Sequence, residues 1–211
     1  MRIVKASAEI LEATPYLERL IERAGRVCYK SEDKMTADSA VGFIERLKAS
    51  KHESVLEHGA ITVIFTTDRG VSHEQVRHRL ASYSQESTRY CNYSKDKFGE
   101  EITVIEPCFW TDKPELLDVW MEAMRCAEAF YFTLIKLGAK PQEARSVLPN
   151  SLKTEIVVTA NPREWRHIFR MRCHQTAHPQ MREVMLPLLN DMAARWPSLF
   201  ADLMEMNDAA Q

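Results

Sequence analysis

Glycine and proline are scarce, 6 and 9 among 211 residues, too few for a collagen repeat or a flexible low-complexity chain. No 18 apolar residues run together, so the sequence offers no helix able to cross a bilayer. The first residues, Met1-Arg-Ile-Val-Lys5, meet charge too early for a secretory leader. The cysteines Cys28, Cys91, Cys108, Cys126 and Cys173 are odd in number and contain no CxxC pair. That fits neither a disulfide framework nor a zinc ribbon and points to a reducing, cytoplasmic setting. An excess of positive charge is also missing. Lys and Arg total 28 against 30 Asp and Glu, a net charge of -2, so no global field recruits nucleic acid or acidic lipid. Any anion site must be local. GxGxxG, GxxxxGK[ST] and GxSxG are absent, which removes the commonest dinucleotide fold, the P-loop and the hydrolase elbow.

What remains is an ordinary folding composition, 45% hydrophobic and 27% charged, in a chain long enough to bury a sizeable core. Helical spacing of Leu17, Leu20, Ile21 and Ala24, then of Val41, Phe43, Ile44 and Leu47, predicts helices over roughly 15–28 and 37–49. Ala60 to Thr67 alternates and is β-branched, which reads as a strand closed by a turn at Asp68-Arg-Gly70. Ile102–Ile105 is a shorter strand candidate. A long helix runs from Pro114 to about Leu137 and stops at Gly138. Lys153–Thr159 reads as a strand leading into Asn161-Pro-Arg-Glu164, where N-cap Asn, N1 Pro and N3 Glu mark a helix start. A last helix covers roughly 180–195. With no repeat, linker or charge block, residues 1–211 read as one compact α+β domain, a mixed or antiparallel sheet packed with long helices.

Two stretches carry most of the chemistry. Ser72 and Gln75 have capping-box spacing, which predicts a short helix over 73–80. At about 100° per residue, Arg77, His78 and Arg79 would then fan over roughly 200° and could not all meet one small ligand. Behind them lie the hydroxyls of Ser82, Ser84, Ser87 and Thr88 and the side chain of Arg89, a set suited to phosphate oxygens, with Tyr83, Tyr90 and Tyr93 able to stack on rings. A solvated helix end with a polar loop is the plain alternative.

The second stretch, Pro162 to Arg172, holds arginine and no lysine, a choice favouring flat, two-pronged contacts. Helical placement puts Arg163, Arg166, His167 and Arg170 on one side and Trp165, Ile168 and Phe169 on the other, with Arg172 falling among the apolar residues. A guanidinium there needs a partner, either an anion or base edge, or an intramolecular carboxylate. A metal reading of His52, His58, His73, His78, His174 and His178 is weak, because HExxH is absent, and no metal ligand is expected.

Arg77-His78-Arg79, seven residues and then Ser87 resembles the RHR-x7-S motif of the flavin-dependent thymidylate synthases. His52-Glu-Ser54 with Glu57-His58, Ala144-Arg145-Ser-Val-Leu-Pro149, and Asn161-Pro-Arg163 with Arg172 resemble further elements of that family, in order, over roughly residues 50 to 180. The resemblance implies reductive methylation of dUMP to dTMP, with 5,10-methylenetetrahydrofolate as carbon donor, reduced FAD as hydride donor and NADPH re-reducing the flavin. It further implies an α+β fold and a homotetramer whose active sites form where chains meet. By similarity, FAD falls to Ser54, Arg77, His78, Arg79, Gln85, Asn161, Pro162, Arg163 and His167. The nucleotide falls to Glu74, Gln75, Val76, Arg77, Gln85, Glu86, Ser87, Thr88, Arg89, Arg145 and Arg172. Glu74 stands where members often carry Gln, and His167 where Asn is common. Arg172 is the expected catalytic residue, a guanidinium at the uracil edge that stabilises the base after loss of its N3 proton. The alternatives are a non-catalytic nucleotide or RNA-binding module, disfavoured by the charge balance, and a histidine-based metal hydrolase.

Overall fold

The computed structural model describes residues 1–95 and 99–208, the last four by their backbone alone. Its elements are β1 (Arg2–Val4), β2 (Ser7–Ala13), α1 (Leu17–Val27), α2 (Ser39–Ala49), β3 (Ile61–Asp68), α3 (Arg69–Gln75), β4 (Ser82–Gln85), β5 (Thr103–Ile105), α4 (Pro114–Lys136), α5 (Pro141–Ala144), β6 (Lys153–Ala160), α6 (Pro162–Arg172), α7 (Pro179–Arg195) and α8 (Pro197–Asp208). The fold is α+β, as expected. One sheet has the order β2-β3-β6-β4, and a second, two-stranded sheet pairs β1 with β5 in parallel, Arg2 opposite Thr103 and Val4 opposite Ile105. No described helix is long and apolar enough to cross a membrane.

The chain divides into two compact units. The first comprises Met1–Ser7, Phe65–Arg77 and Ser84–Ile156. Its core gathers Tyr93, Ile102, Val104, Trp120, Met124, Tyr131, Ala144 and Leu152. Trp120, Met124 and Tyr131 recur at spacings of four and seven, so α4 turns one stripe inward. Each such side chain stabilises the fold by about 1.5–3 kcal/mol on burial. The indole of Trp120 donates to Ser151 Oγ at 3.1 Å, and Gly138 at φ 95° ends the helix region in a conformation that favours glycine.

The second unit comprises Ala8–Ile64, His78–Tyr83 and the chain from Val157 onward. Gly25 lets α1 approach α2, since a Cβ there would lie 2.6 Å from Phe43 Cε1. Helix α6 begins as its sequence dictates: Asn161 Oδ1 accepts the Glu164 N–H at 2.9 Å, with Pro162 at N1. Its apolar face buries Trp165, Ile168 and Phe169, and the Trp165 indole donates to the Ile61 carbonyl at 3.0 Å.

Three expectations are corrected. The Asp68-Arg-Gly70 segment is no turn: Asp68 is the N-cap of α3, its carboxylate accepting the Val71 N–H at 2.6 Å. The helix therefore starts earlier than the expected 73–80 and stops at Gln75. Residues 82–85 form β4 instead of loop, and α8, unanticipated, buries Leu199, Phe200 and Leu203.

Candidate active site

Because α3 ends before them, Arg77, His78 and Arg79 lie on a turn and not on a helix face. Exposure alternates along it. Arg77 and Arg79 are exposed while His78 is buried, so the three separate for a different reason than the expected helical fan. Within the second unit, the carbonyl and both ring nitrogens of His78 have neighbours. Its carbonyl accepts the Tyr83 hydroxyl at 2.7 Å, its Nε2 accepts Arg172 Nε–H at 2.9 Å, and its Nδ1 faces Glu164 Oε1 at 3.8 Å. The His167 ring stands edge-on to it, centroids 5.6 Å apart.

Burial, then the Arg172 charge, then His167, pull the His78 pKa down to about 4. The ring is therefore neutral near pH 7. Since Nε2 accepts from Arg172, the proton sits on Nδ1. The contact with Glu164 is then no ion pair and, at 3.8 Å, is longer than a hydrogen bond. Burial raises the Glu164 pKa, opposed by His167 and Arg163. Tyr83 is pushed up to about 12 by burial and then by Glu164, so its hydroxyl stays a donor. Arg172, half-buried, donates its Nε–H to a neutral imidazole, an acceptor not weighed from sequence, and that bond does not itself cancel the guanidinium charge.

His78, Glu164 and His167 bring ligand-type atoms within 4.8 Å of one another. A metal would need the Nδ1 lone pair of His78, and the Arg172 hydrogen bond keeps a proton there. As arranged, the cluster offers a donor in that direction. His174 bonds Thr176 at 2.9 Å and His178 caps α7, so these two histidines of the weak metal reading serve local structure.

The rest of α6 divides by neutralisation. Arg163 reaches Glu57 at 2.5 Å and Glu53 at 3.7 Å, and Arg170 reaches Glu53 at 3.4 Å, all near the surface. Ser54 and His167 are exposed, and Asn161 is committed to its cap. Arg166, expected on the open polar face, is instead 2% exposed. It donates to both oxygens of Asp202 at 2.8 and 2.6 Å and to the Leu199 carbonyl, because α8 covers that part of the helix. Lys48 shares Asp202 at 2.8 Å. Burial pushes the Asp202 pKa up, but the bonds from Arg166 and Lys48 outweigh it and hold it at about 2.

In the first unit, the residues expected to bind nucleotide separate. Thr88 and Arg145, joined at 3.3 Å, line a cavity of about 310 Å³ with Arg69, His73, Ser146 and Asn150. Arg69 has a buried Nη1 with no hydrogen-bond partner among the described residues. The sequence reading missed Arg69, which directly follows the clearest strand and was read only as part of a turn. Glu86 turns elsewhere, accepting from Tyr93 at 3.1 Å and Lys153 at 3.2 Å and lining a second cavity. Gln85 donates to Ser72 at 2.9 Å and Thr154 at 3.2 Å. Ser87 Oγ accepts the Arg89 N–H at 3.3 Å, and the Arg89 guanidinium lies 5.3 Å from the Tyr90 ring centre. Glu74 is half-buried, Gln75 buried and Val76 exposed at the end of α3.

Residues 9–198 match the family described as thymidylate synthase complementing protein. Over 201 residues the chain is 35% identical to the flavin-dependent thymidylate synthase of Geobacter sulfurreducens, covering 92% of this chain and 84% of that protein. The chain belongs to this family, the flavin-dependent thymidylate synthases. Identity to the enzyme of Mycobacterium tuberculosis is 36% over 201 residues, 87% of this chain and 78% of that one. Among solved structures, a UMP/dUMP methylase, PolB from Streptomyces cacaoi bound with 5-Br dUMP, shares the fold with a TM-score of 0.81 at 21% identity over 97% of both chains. The family read from the RHR-x7-S motif is thus the family found, and with it the flavoenzyme reading over the RNA-binding and metal-hydrolase alternatives.

Proposed function

We propose that the chain converts dUMP to dTMP, taking the one-carbon unit from 5,10-methylenetetrahydrofolate and the hydride from FAD reduced by NADPH. The observation that carries this reading is the 2.9 Å bond between Arg172 and His78, which brings the end of α6 to the RHR motif. The imidazole that accepts the Arg172 Nε–H is neutral, so this bond orients the guanidinium without cancelling its charge. Set at the uracil edge, Arg172 stabilises the anion left by N3 deprotonation and so raises electron density at C5. Half-burial strengthens the effect by lowering the local dielectric.

The side chains of the second unit suit a flavin dinucleotide. Arg79 and His167 face solvent with donors available, Arg163 is only partly covered, and Ser54 adds a hydroxyl. With His78, Asn161 and Pro162 they are our candidates for its contacts, and Arg77 and Gln85 are carried over from the family pattern. When bound, FAD supplies the two-electron chemistry that amino-acid side chains lack. In the first unit, Arg145 and Thr88, with Arg69 added, are placed to hold a phosphate, and Ser87 and Arg89 lie on the adjoining segment. Ser87 serves as a binding hydroxyl here, since the structure shows its Oγ bonded to a backbone N–H and not to a base.

One family match spanning residues 9–198 supports treating the chain as a single functional domain. Large exposed apolar residues, Leu80 at 77% and Phe130 at 62% among them, support assembly into the homotetramer with shared active sites. Five free cysteines support a cytoplasmic location. The test is direct. Purified protein should be yellow, bleach under NADPH when dUMP is present, and form dTMP on addition of methylenetetrahydrofolate. A colourless protein that binds RNA with a steep salt dependence would overturn the proposal.

A further inference from the structure

The buried carboxylate of Glu164 has no part in the functional pattern drawn above. At N3 of α6, behind an Asn N-cap, the expected role of a glutamate is to reach back and close a capping box. Here only half the box forms: Asn161 accepts the Glu164 N–H, while the Glu164 carboxylate is directed at His78. Glu164 is 5% exposed and His78 is 7% exposed, so this juxtaposition is not a surface accident. Keeping a carboxylate there costs desolvation, visible as the raised pKa of Glu164.

We infer that Glu164 is a positioning residue which, through His78, holds Arg172 in place for the base of the nucleotide. The inference rests on the nucleotide-methylation reading proposed above. The position of one proton decides whether the bond forms. A neutral imidazole has two tautomers, and only the Nδ1–H form leaves a lone pair on Nε2 for Arg172. In the other form, an N–H on Nε2 would point at the N–H of Arg172 and push it away.

Glu164 selects between them, because a carboxylate opposite Nδ1 favours a proton there and enriches the electron density at Nε2. The arrangement parallels the carboxylate–histidine–metal relay, with a guanidinium in place of the metal. Tyr83 completes the clamp by fixing the His78 backbone at 2.7 Å. The 3.8 Å gap to Nδ1 leaves room for this contact to shorten when the site is filled.

The test uses Glu164→Gln, which preserves size but replaces an acceptor-only group by one that can rotate and donate to Nδ1. In a serine protease triad the equivalent carboxylate-to-amide change traps the wrong tautomer. Histidine-selective ¹⁵N NMR of wild-type protein, with and without flavin, should show His78 as the Nδ1–H form at neutral pH. Glu164→Gln should shift His78 toward the Nε2–H form and lower kcat for dUMP about 10- to 100-fold, with flavin content retained.

Wild-type His78 in the Nε2–H form would overturn the inference, and this measurement needs no variant to fold. So would a Glu164→Gln enzyme with wild-type kcat, or one that loses activity while the His78 tautomer stays unchanged. Absence of dUMP methylation by wild-type protein would instead count against the functional reading, which separates the two failures.

Discussion

Arg166 and Arg172 belong to the same helix and donate to acceptors of different electrical character, a carboxylate and a neutral ring. Arg166 is buried against α8 and paired through two bonds with a carboxylate that Lys48 also holds. Arg172 is half-buried and bonded to a ring that burial and its own charge keep neutral. A carboxylate partner cancels the guanidinium charge and turns the residue into a structural tie. A neutral acceptor orients the guanidinium without itself cancelling the charge. Identical side chains therefore take different roles according to what faces them, and the difference should show in which property each one controls.

The largest effect should come from Arg172→Ala. Removing one well-placed stabilising donor costs on the order of 100- to 1000-fold in kcat, measured as dTMP formation. Unfolding free energy should move by less than about 1 kcal/mol, since little of the core depends on the side chain. Flavin content should hold, and equal loss of flavin and turnover would erase the contrast.

Arg166→Ala should do the reverse. Breaking a buried pair and leaving Asp202 with Lys48 alone should cost about 3 kcal/mol in urea unfolding. Turnover per folded, flavin-loaded molecule should change little. A stability loss below about 1 kcal/mol would mean that α8 is held without the pair.

Arg69→Gln sharpens the comparison from the other unit. Its Nη1 is buried without a hydrogen-bond partner among the described residues, the condition expected of a donor awaiting an anion. Loss of one charged hydrogen bond should raise KM for dUMP about tenfold with kcat nearly constant. An unchanged KM would remove Arg69 from the phosphate set.

The smallest effect lies in acid. The His78 pKa is about 4 in the folded state and about 6.5 in the unfolded chain. The unfolded state thus takes up a proton first, and stability should fall as pH drops from about 6.5 to 4. Asp202, held at about 2, stabilises above its ordinary value of 3.8 and loses that contribution as pH falls from 3.8 toward 2. Unfolding measured across both windows should show His78→Gln flattening the first and Arg166→Ala the second.

Much of this was legible in the sequence where local chemistry was unopposed. Asn161-Pro-Arg-Glu164 starts α6 as read, and the alternation of residues 61–67 is β3. Legibility failed where two signals competed. Ser72 and Gln75 have capping-box spacing, but Asp68 captures the Val71 N–H first, and α3 is spent before the RHR motif begins. The polar run Ser82-Tyr-Ser-Gln85 pairs as β4 with no hydrophobic alternation to announce it. Arg166 was misplaced because helical angles place a side chain on a face but do not reveal that another helix covers it. The family motif pointed to His78 and Arg172 separately. Their bond and its dependence on Glu164 are properties of the folded chain.

The most direct test of the central claim is an experimental structure of the enzyme with FAD and dUMP bound. The Arg172 guanidinium should lie within hydrogen-bonding distance of the uracil ring while His78 still accepts its Nε–H. An Arg172 guanidinium turned to solvent and out of reach of the uracil ring, in every copy of the assembly, would contradict that role.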